Sequence, residues 1–282
     1  MNYEVAIAIP TLNEERFISR CLDSIIKQTF KFEKMDVMII DGGSNDKTKD
    51  IVAKYQKSHQ NIRFIENKKK IQSVAFNIGF KKSTAPYIIR LDAHAEYDSK
   101  YISLCIENLK QDEKRGNVGG RCNILPFNQS LWAQTNAILN HSRFGIGGAA
   151  FRVSNEAHNT DSVPFGAFPR KIIEEIGGMR EDLPRGEDNE YNSRIRKAGY
   201  KIFFDPNIIS SYFARPTLGA SCKQMYANGN SIGYLYYIDR EAIGIRHLVP
   251  LLFVVSGLFS IIISVLWSPF CYVFCGGLAL YI

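Results

Sequence analysis

Apolar residues recur along the first ninety positions in two alternating rhythms. Residues 5–9 form a short apolar run closed by Pro10-Thr11, the mark of a strand that ends in a turn. Residues 14–29 then place Phe17, Ile18, Cys21, Leu22, Ile25 and Ile26 at helical spacing, which predicts a helix with one buried stripe. Glu14 and Glu15 fall in its first turn, where the helix dipole favours acids. The same alternation predicts strands at 37–40, 62–65 and 87–91, with helices at 47–57 and 72–82 between them. Strand, helix, strand, helix is the pattern of an α/β fold with a mostly parallel sheet. Such sheets bind ligands beyond the carboxyl ends of their strands. Pro10-Thr11, Asp41 and Asp92 all fall at those ends.

The rhythm weakens afterwards. Residues 116–165 contain Gly119-Gly120 and Gly147-Gly148 with few long periodic runs, which predicts a mixture of strands and loops. Residues 170–176 read as a helix stopped by Gly177-Gly178, and residues 189–198 as another stopped by Gly199. Residues 221–238 are rich in tyrosine, with Met225, Tyr226, Tyr234, Tyr236 and Tyr237, the composition of an interfacial belt. Residues 248–267 are apolar without a charge and long enough to span a bilayer. Ser268-Pro269 breaks that run, and 270–282 is a second apolar piece, short for a span. Three parts follow: residues 1–215, an amphipathic interfacial segment at 216–247, and transmembrane helices within 248–282.

Arg240, Arg246 and His247 precede the apolar run, so the positive-inside rule holds that side in the cytoplasm. The first residues show no basic region followed by an apolar core, and no signal peptide is expected. The first part is therefore expected at the cell membrane, facing the cytoplasm. A formal charge of +7 fits anionic partners such as nucleotides and membrane lipids. The basic residues do not cluster with interleaved aromatics, so nucleic acid is not an expected partner. The six cysteines form no CxxC pair and no zinc spacing with histidine, which points to buried thiols in a reducing compartment.

Candidate chemistry gathers at acids. Asp92 and His94 end an apolar run two residues apart, so an extended backbone would put both on one face. A carboxylate and an imidazole there could hold a divalent cation over a diphosphate; an Asx turn with an ordinary loop histidine would use the same residues. Asp41 opens Asp41-Gly42-Gly43-Ser44-Asn45-Asp46, where it could accept bonds from a base or ribose, or serve the turn itself. Glu187-Asp188 precedes a predicted helix, where an acid can act as general base or cap the helix.

Taken in order, five blocks carry a family resemblance. They are Ile9-Pro10-Thr11-Leu12-Asn13-Glu14-Glu15, Asp41 to Thr48, Asn77-Ile78-Gly79, Asp92-Ala93-His94 and Gly186-Glu187-Asp188-Asn189-Glu190. Over residues 5–207 the chain resembles GT-A glycosyltransferases of family two, the inverting group, and within it the succinoglycan-type exopolysaccharide glucosyltransferases. The resemblance implies a GT-A catalytic domain at 1–215 in which Pro10, Thr11, Glu14 and Asp41 hold the nucleoside, taken as uridine. It implies that Asp92 contacts the ribose or, with His94, a divalent metal such as Mn²⁺ or Mg²⁺. Asp188, with Glu187 beside it, would supply the catalytic carboxylate. The family pattern has Asp where this chain has His94, which leaves the metal's identity open. The Gln-x-x-Arg-Trp block of processive synthases is not matched by Gln224-Met225-Tyr226-Ala227-Asn228, so one sugar per encounter is implied.

The implied function is inverting transfer from a nucleotide-sugar donor, a UDP-hexose, to a saccharide or polyprenyl-linked acceptor in polysaccharide biosynthesis. Two alternatives use the same residues: a non-catalytic membrane-anchored module that binds nucleotide-sugar, and a nucleotidyltransferase. A dinucleotide oxidoreductase would need a glycine-rich turn where Pro10-Thr11-Leu12-Asn13 stands.

Overall fold

The first seven elements follow the predicted order: β1 (Val5–Thr11), α1 (Ile18–Ile26), β2 (Met35–Asp41), α2 (Thr48–Ser58), β3 (Ile62–Glu66), α3 (Gln72–Lys82) and β4 (Tyr87–Arg90). The computed structural model describes residues 2–142, 149–244, 247–267 and 269–281; Gly147, Gly148, Arg246 and Ser268 lie outside the described residues. β1 pairs in parallel with β2 on one side and β4 on the other, and β2 pairs in parallel with β3. Both faces of β1 and β2 are covered, which is why these strands read as unbroken apolar runs. Val5, Ile7, Ile9, Val37 and Ile39 pack with Ile18, Cys21, Leu22 and Ile25 of α1. Ala6, Ala8, Met38 and Ile40 face Ala75 and Phe76 of α3. Each large apolar side chain so buried contributes about 1.5–3 kcal/mol.

One helix starts later than its periodicity predicts. Residues 14–17 form a turn, and α1 begins at Ile18. The backbone N–H groups of Glu14 and Glu15 donate to Thr48 Oγ1 (2.9 Å) and Asp46 Oδ2 (3.0 Å). Side chains 31 and 34 residues away thus satisfy donors that a helix start leaves without an intrahelical partner.

The chain continues through β5 (Ala95–Tyr97), α4 (Tyr101–Gln111), β6 (Arg115–Leu125), α5 (Leu131–His141), α6 (Ala150–Val153), β7 (His158–Thr160), β8 (Ala167–Pro169), α7 (Arg170–Ile176), α8 (Glu187–Lys197), β9 (Lys201–Phe213) and α9 (Leu218–Ile238). Among the described residues the sheet runs β3-β2-β1-β4-β8-β6-β9-β5, with β7 beside β9. β8 is antiparallel to both neighbours, whereas β6 and β9 are parallel. The parallel core therefore continues into a mixed half. Within 116–165, residues 116–125 belong to β6, whose glycines hide it from pattern reading, and residues 131–141 form the helix α5 where only strands and loops are expected. A Cβ on Gly120 would lie 2.0 Å from the Ile208 carbonyl oxygen, and one on Gly119 would lie 2.7 Å from that of Pro164. Glycine is needed there because neighbouring backbone passes too close for a side chain.

Residues 1–243 form one compact unit and 244–282 a second. The second holds α10 (Val249–Leu266) and α11 (Pro269–Tyr281). Among the described residues α10 is the one helix long and apolar enough to cross a membrane.

Candidate active site

A cleft of about 340 Å³ opens at the carboxyl ends of β1, β2 and β4, closed on one side by residues following β9. Pro10, Thr11, Glu14, Asp92 and His94 all line it. Pro10 falls where β4, ending at Arg90, no longer flanks β1, so its missing N–H costs no pairing on that side.

Two loops build the wall. Asn13 adopts φ 56°, a left-handed conformation that asparagine tolerates. Its N–H donates to Ser44 Oγ (2.8 Å), and its Oδ1 accepts from the Asn45 N–H (2.8 Å). Glu15 Oε2 accepts from the Lys47 N–H at 3.0 Å. Asp41 is buried beneath this loop, and its Oδ2 accepts from the N–H groups of Gly43 and Ser44, both at 2.8 Å. The Ser44 hydroxyl donates to Asp41 Oδ1 at 2.5 Å. The Asp41 carboxylate thus holds its own turn, the second of the roles its sequence position allowed.

Asp92 and His94 point into the cleft from the segment between β4 and β5. Tyr97 fixes Asp92 from below: its hydroxyl accepts from the Asp92 N–H (2.7 Å) and donates to the Asp92 carbonyl (3.1 Å). His94 Nδ1 lies 3.0 Å from Glu14 Oε1. Burial disfavours charge on this imidazole, but the bond to Glu14 and the nearby Asp92 carboxylate outweigh it and raise its pKa.

Glu187 and Asp188 lie in the first turn of α8. The helix starts two residues earlier than its apolar pattern suggests, so neither acid is its cap. That position belongs to Gly186, at φ 84°, where an added Cβ would collide with Ser231 Oγ. Arg90, buried at the end of β4, reaches across to both acids. Its Nη1 donates to Asp188 Oδ1 and stands 3.4 Å from Glu187 Oε1. Its Nη2 donates to Gln72 Oε1 (3.0 Å) and Asp92 Oδ1 (3.4 Å). Burial works against the guanidinium charge, yet Asp188, Asp92 and Glu187 more than restore it and raise its pKa. Burial, then the Asp188 charge, push the Glu187 carboxyl up to about 7 against the pull of Arg90. Both neighbouring acids therefore hold a proton more tightly than an ordinary carboxyl. Glu187 retains a proton near neutrality, and burial raises the Asp188 carboxyl as well, with Arg90 pulling against it and the Asp92 charge adding to it.

Among the described residues no group of three or more His, Cys, Asp or Glu side chains gathers to hold a metal. Asp92 and His94 would be a two-side-chain set. This fits Mg²⁺ or Mn²⁺, which keep several positions for water and substrate phosphate. The Glu14 bond to Nδ1 would leave Nε2 for a metal, in the carboxylate–histidine arrangement that commonly orients a ligand.

Arg90, Tyr97 and Gln72 belong to none of the motifs at the strand ends. Arg90 carried a legible signal, since a charged residue inside a four-residue central strand must meet opposite charge or lose heavily by burial. Tyr97 and Gln72 carried none.

The comparisons with known proteins agree with this architecture. The model of the family described as glycosyl transferase family 2 matches residues 6–177. A dolichyl N-acetyl-alpha-D-glucosaminyl phosphate 3-beta-D-2,3-diacetamido-2,3-dideoxy-beta-D-glucuronosyltransferase of Methanococcus voltae is 33% identical over 271 residues, 94% of this chain and 82% of that protein. Succinoglycan biosynthesis protein ExoA of Rhizobium meliloti is 26% identical over 247 residues, 87% of this chain and 74% of its own. The solved mannosyltransferase PcManGT from Pyrobaculum calidifontis, in complex with GDP-Man and Mn²⁺, superposes with a TM-score of 0.71 at 19% identity. The match covers 99% of this chain and 81% of that one. That likeness is one of fold.

Proposed function

The chain belongs to glycosyl transferase family 2, and from that premise we propose that it transfers one hexose from a UDP-sugar, with inversion, to a saccharide or polyprenyl-linked acceptor at a membrane. The observation that carries the reading is Arg90, which ties the Asp92 side of the cleft to Asp188 through one guanidinium. Donor and acceptor chemistry then meet at a fixed spacing.

In the proposed reaction Pro10, Thr11 and Glu14 seat the nucleoside, and Asp92 contacts the ribose. Asp41 acts on that subsite through the turn it holds, which sets the position of Gly42 in the cleft wall. Asp188 takes the proton of the acceptor hydroxyl. The freed oxygen attacks the anomeric carbon from the face opposite the diphosphate, the bond from that carbon to the diphosphate oxygen breaks, and its electron pair leaves with UDP. Asp92 and His94 are the residues that would hold Mn²⁺ or Mg²⁺, whose chemistry when bound is to offset the charge gathering on the leaving group. Protonated Glu187 beside Asp188 keeps a second negative charge away from the base.

The comparisons support a lipid-linked acceptor to the extent that the Methanococcus relative is named for a dolichyl phosphate substrate. The GDP-Man bound to the Pyrobaculum protein makes guanosine the competing donor nucleoside. Residues 216–247 are proposed as an interfacial segment, α10 as a membrane span, and the α/β unit as cytoplasmic. The deciding experiment combines thermal shift against UDP- and GDP-sugars, with and without Mn²⁺, with product analysis. UDP release supports the proposal. Pyrophosphate release would identify a nucleotidyltransferase, and binding without turnover a non-catalytic module.

A further inference from the structure

Helices α5 and α9 carry large apolar side chains on their outer faces. Leu131 is 82% exposed and Ile138 70% on α5; Tyr226 is 80% and Tyr237 87% exposed on α9, where Leu218 and Met225 are exposed as well. Scattered apolar residues on a surface are ordinary, but a contiguous set marks an interaction site. These residues flank a fixed seam. The buried Ser221 hydroxyl accepts from Trp132 Nε1 (3.3 Å) and Asn136 Nδ2 (3.1 Å), and Asn136 Nδ2 also donates to the Arg215 carbonyl (3.1 Å). Leu218, Cys222 and Tyr226 recur every fourth residue, and Leu131 and Ile138 lie seven apart, so each helix shows one stripe. Across its 21 residues α9 holds a single charged side chain, Lys223.

The chain itself indicates what meets this face. α9 leads through residues 239–248 into α10, whose 18 residues carry no charge. That connection spans at most about 35 Å when fully extended, so a span seated in lipid keeps the end of α9 within that distance of the bilayer. Tyr226, Tyr236 and Tyr237 combine an apolar ring with a polar tip, the side-chain type enriched at headgroup level.

We infer that α5 and α9 together form the face on which the α/β unit lies on the bilayer, with Leu131, Ile138, Leu218 and Tyr226 entering the headgroup–acyl boundary. The inference makes α5 a second lipid contact beside the tyrosine-rich helix. It rests on the reading of α10 as a span and is independent of the donor chemistry.

The sequence contains two tryptophans, Trp132 and Trp267, which allows a direct test with the full chain in phosphatidylcholine vesicles brominated at shallow or deep acyl carbons. In the Trp267→Phe chain, Trp132 on α5 should lose fluorescence to shallow bromines and less to deep ones. Adding Leu131→Glu and Ile138→Glu should abolish that loss while UDP release from donor stays unchanged. The companion Trp132→Phe chain reports on Trp267 beside α10. Quenching of Trp267 without any quenching of Trp132 overturns the inference. So does protection of Trp132 that tracks disulfide-linked dimers of an Ile138→Cys chain, which would give the face to a second copy. Absence of quenching at both positions overturns the membrane span along with it.

Discussion

Arg90 and Asp188, 98 residues apart in the chain, share a direct hydrogen bond from Nη1 to Oδ1. Neither β4 nor α8 would hold this charge alone. Replacing Arg90 with Gln strands Asp92 and Asp188 around a buried neutral amide and should cost about 3–5 kcal/mol, seen as a lower urea midpoint. Adding Asp188→Asn to that variant should recover part of the loss, because the stranded charge is then removed. Independent, additive losses would show that the pair is not coupled.

Asp188→Asn alone should lower transfer by about 10²–10⁴-fold, the usual contribution of a positioned general base, and leave UDP affinity nearly intact. Equilibrium binding measured beside single-turnover rates separates the two. A variant that still transfers sugar at the native rate removes Asp188 from the role.

Glu187 sets a pH dependence of stability. Its folded pKa of about 7 lies above its ordinary 4.5, so the folded state binds this proton more tightly. The stabilisation is complete below about pH 4.5 and is lost as pH rises through 7. The native chain should therefore lose about 3 kcal/mol relative to Glu187→Gln between pH 4 and pH 8. Parallel stability curves across that range would refute the assignment.

Glu14→Gln keeps the size of the side chain but weakens the bond that orients His94. Mn²⁺ affinity in the presence of UDP should fall about 10–100-fold, read by calorimetry or electron paramagnetic resonance. Unchanged affinity would detach His94 from the metal.

Gly120→Ala places a methyl group 2.0 Å from a backbone carbonyl that cannot rotate away. A loss of about 1–3 kcal/mol is expected, with no change in UDP affinity for whatever fraction remains folded. A neutral substitution would mean that β6 and β9 separate more easily than their packing implies.

By itself the sequence determined the βα alternation of the first ninety residues, the glycosyltransferase motifs at the strand ends and the apolar run of α10. These are local properties: an apolar run or a helical stripe is decided by residues within a few positions of one another, and a loop motif keeps its residue types wherever it is carried. Only the tertiary structure decided that Asp41 spends its carboxylate on its own turn, that Thr48 and Asp46 cap the turn before α1, and that Arg90 joins Asp92 to Asp188. It also decided that glycine-bearing residues 115–125 pair with β9. Each of these depends on which distant side chain or backbone wins a bond once the chain is packed, and burial sets that outcome rather than spacing along the polymer.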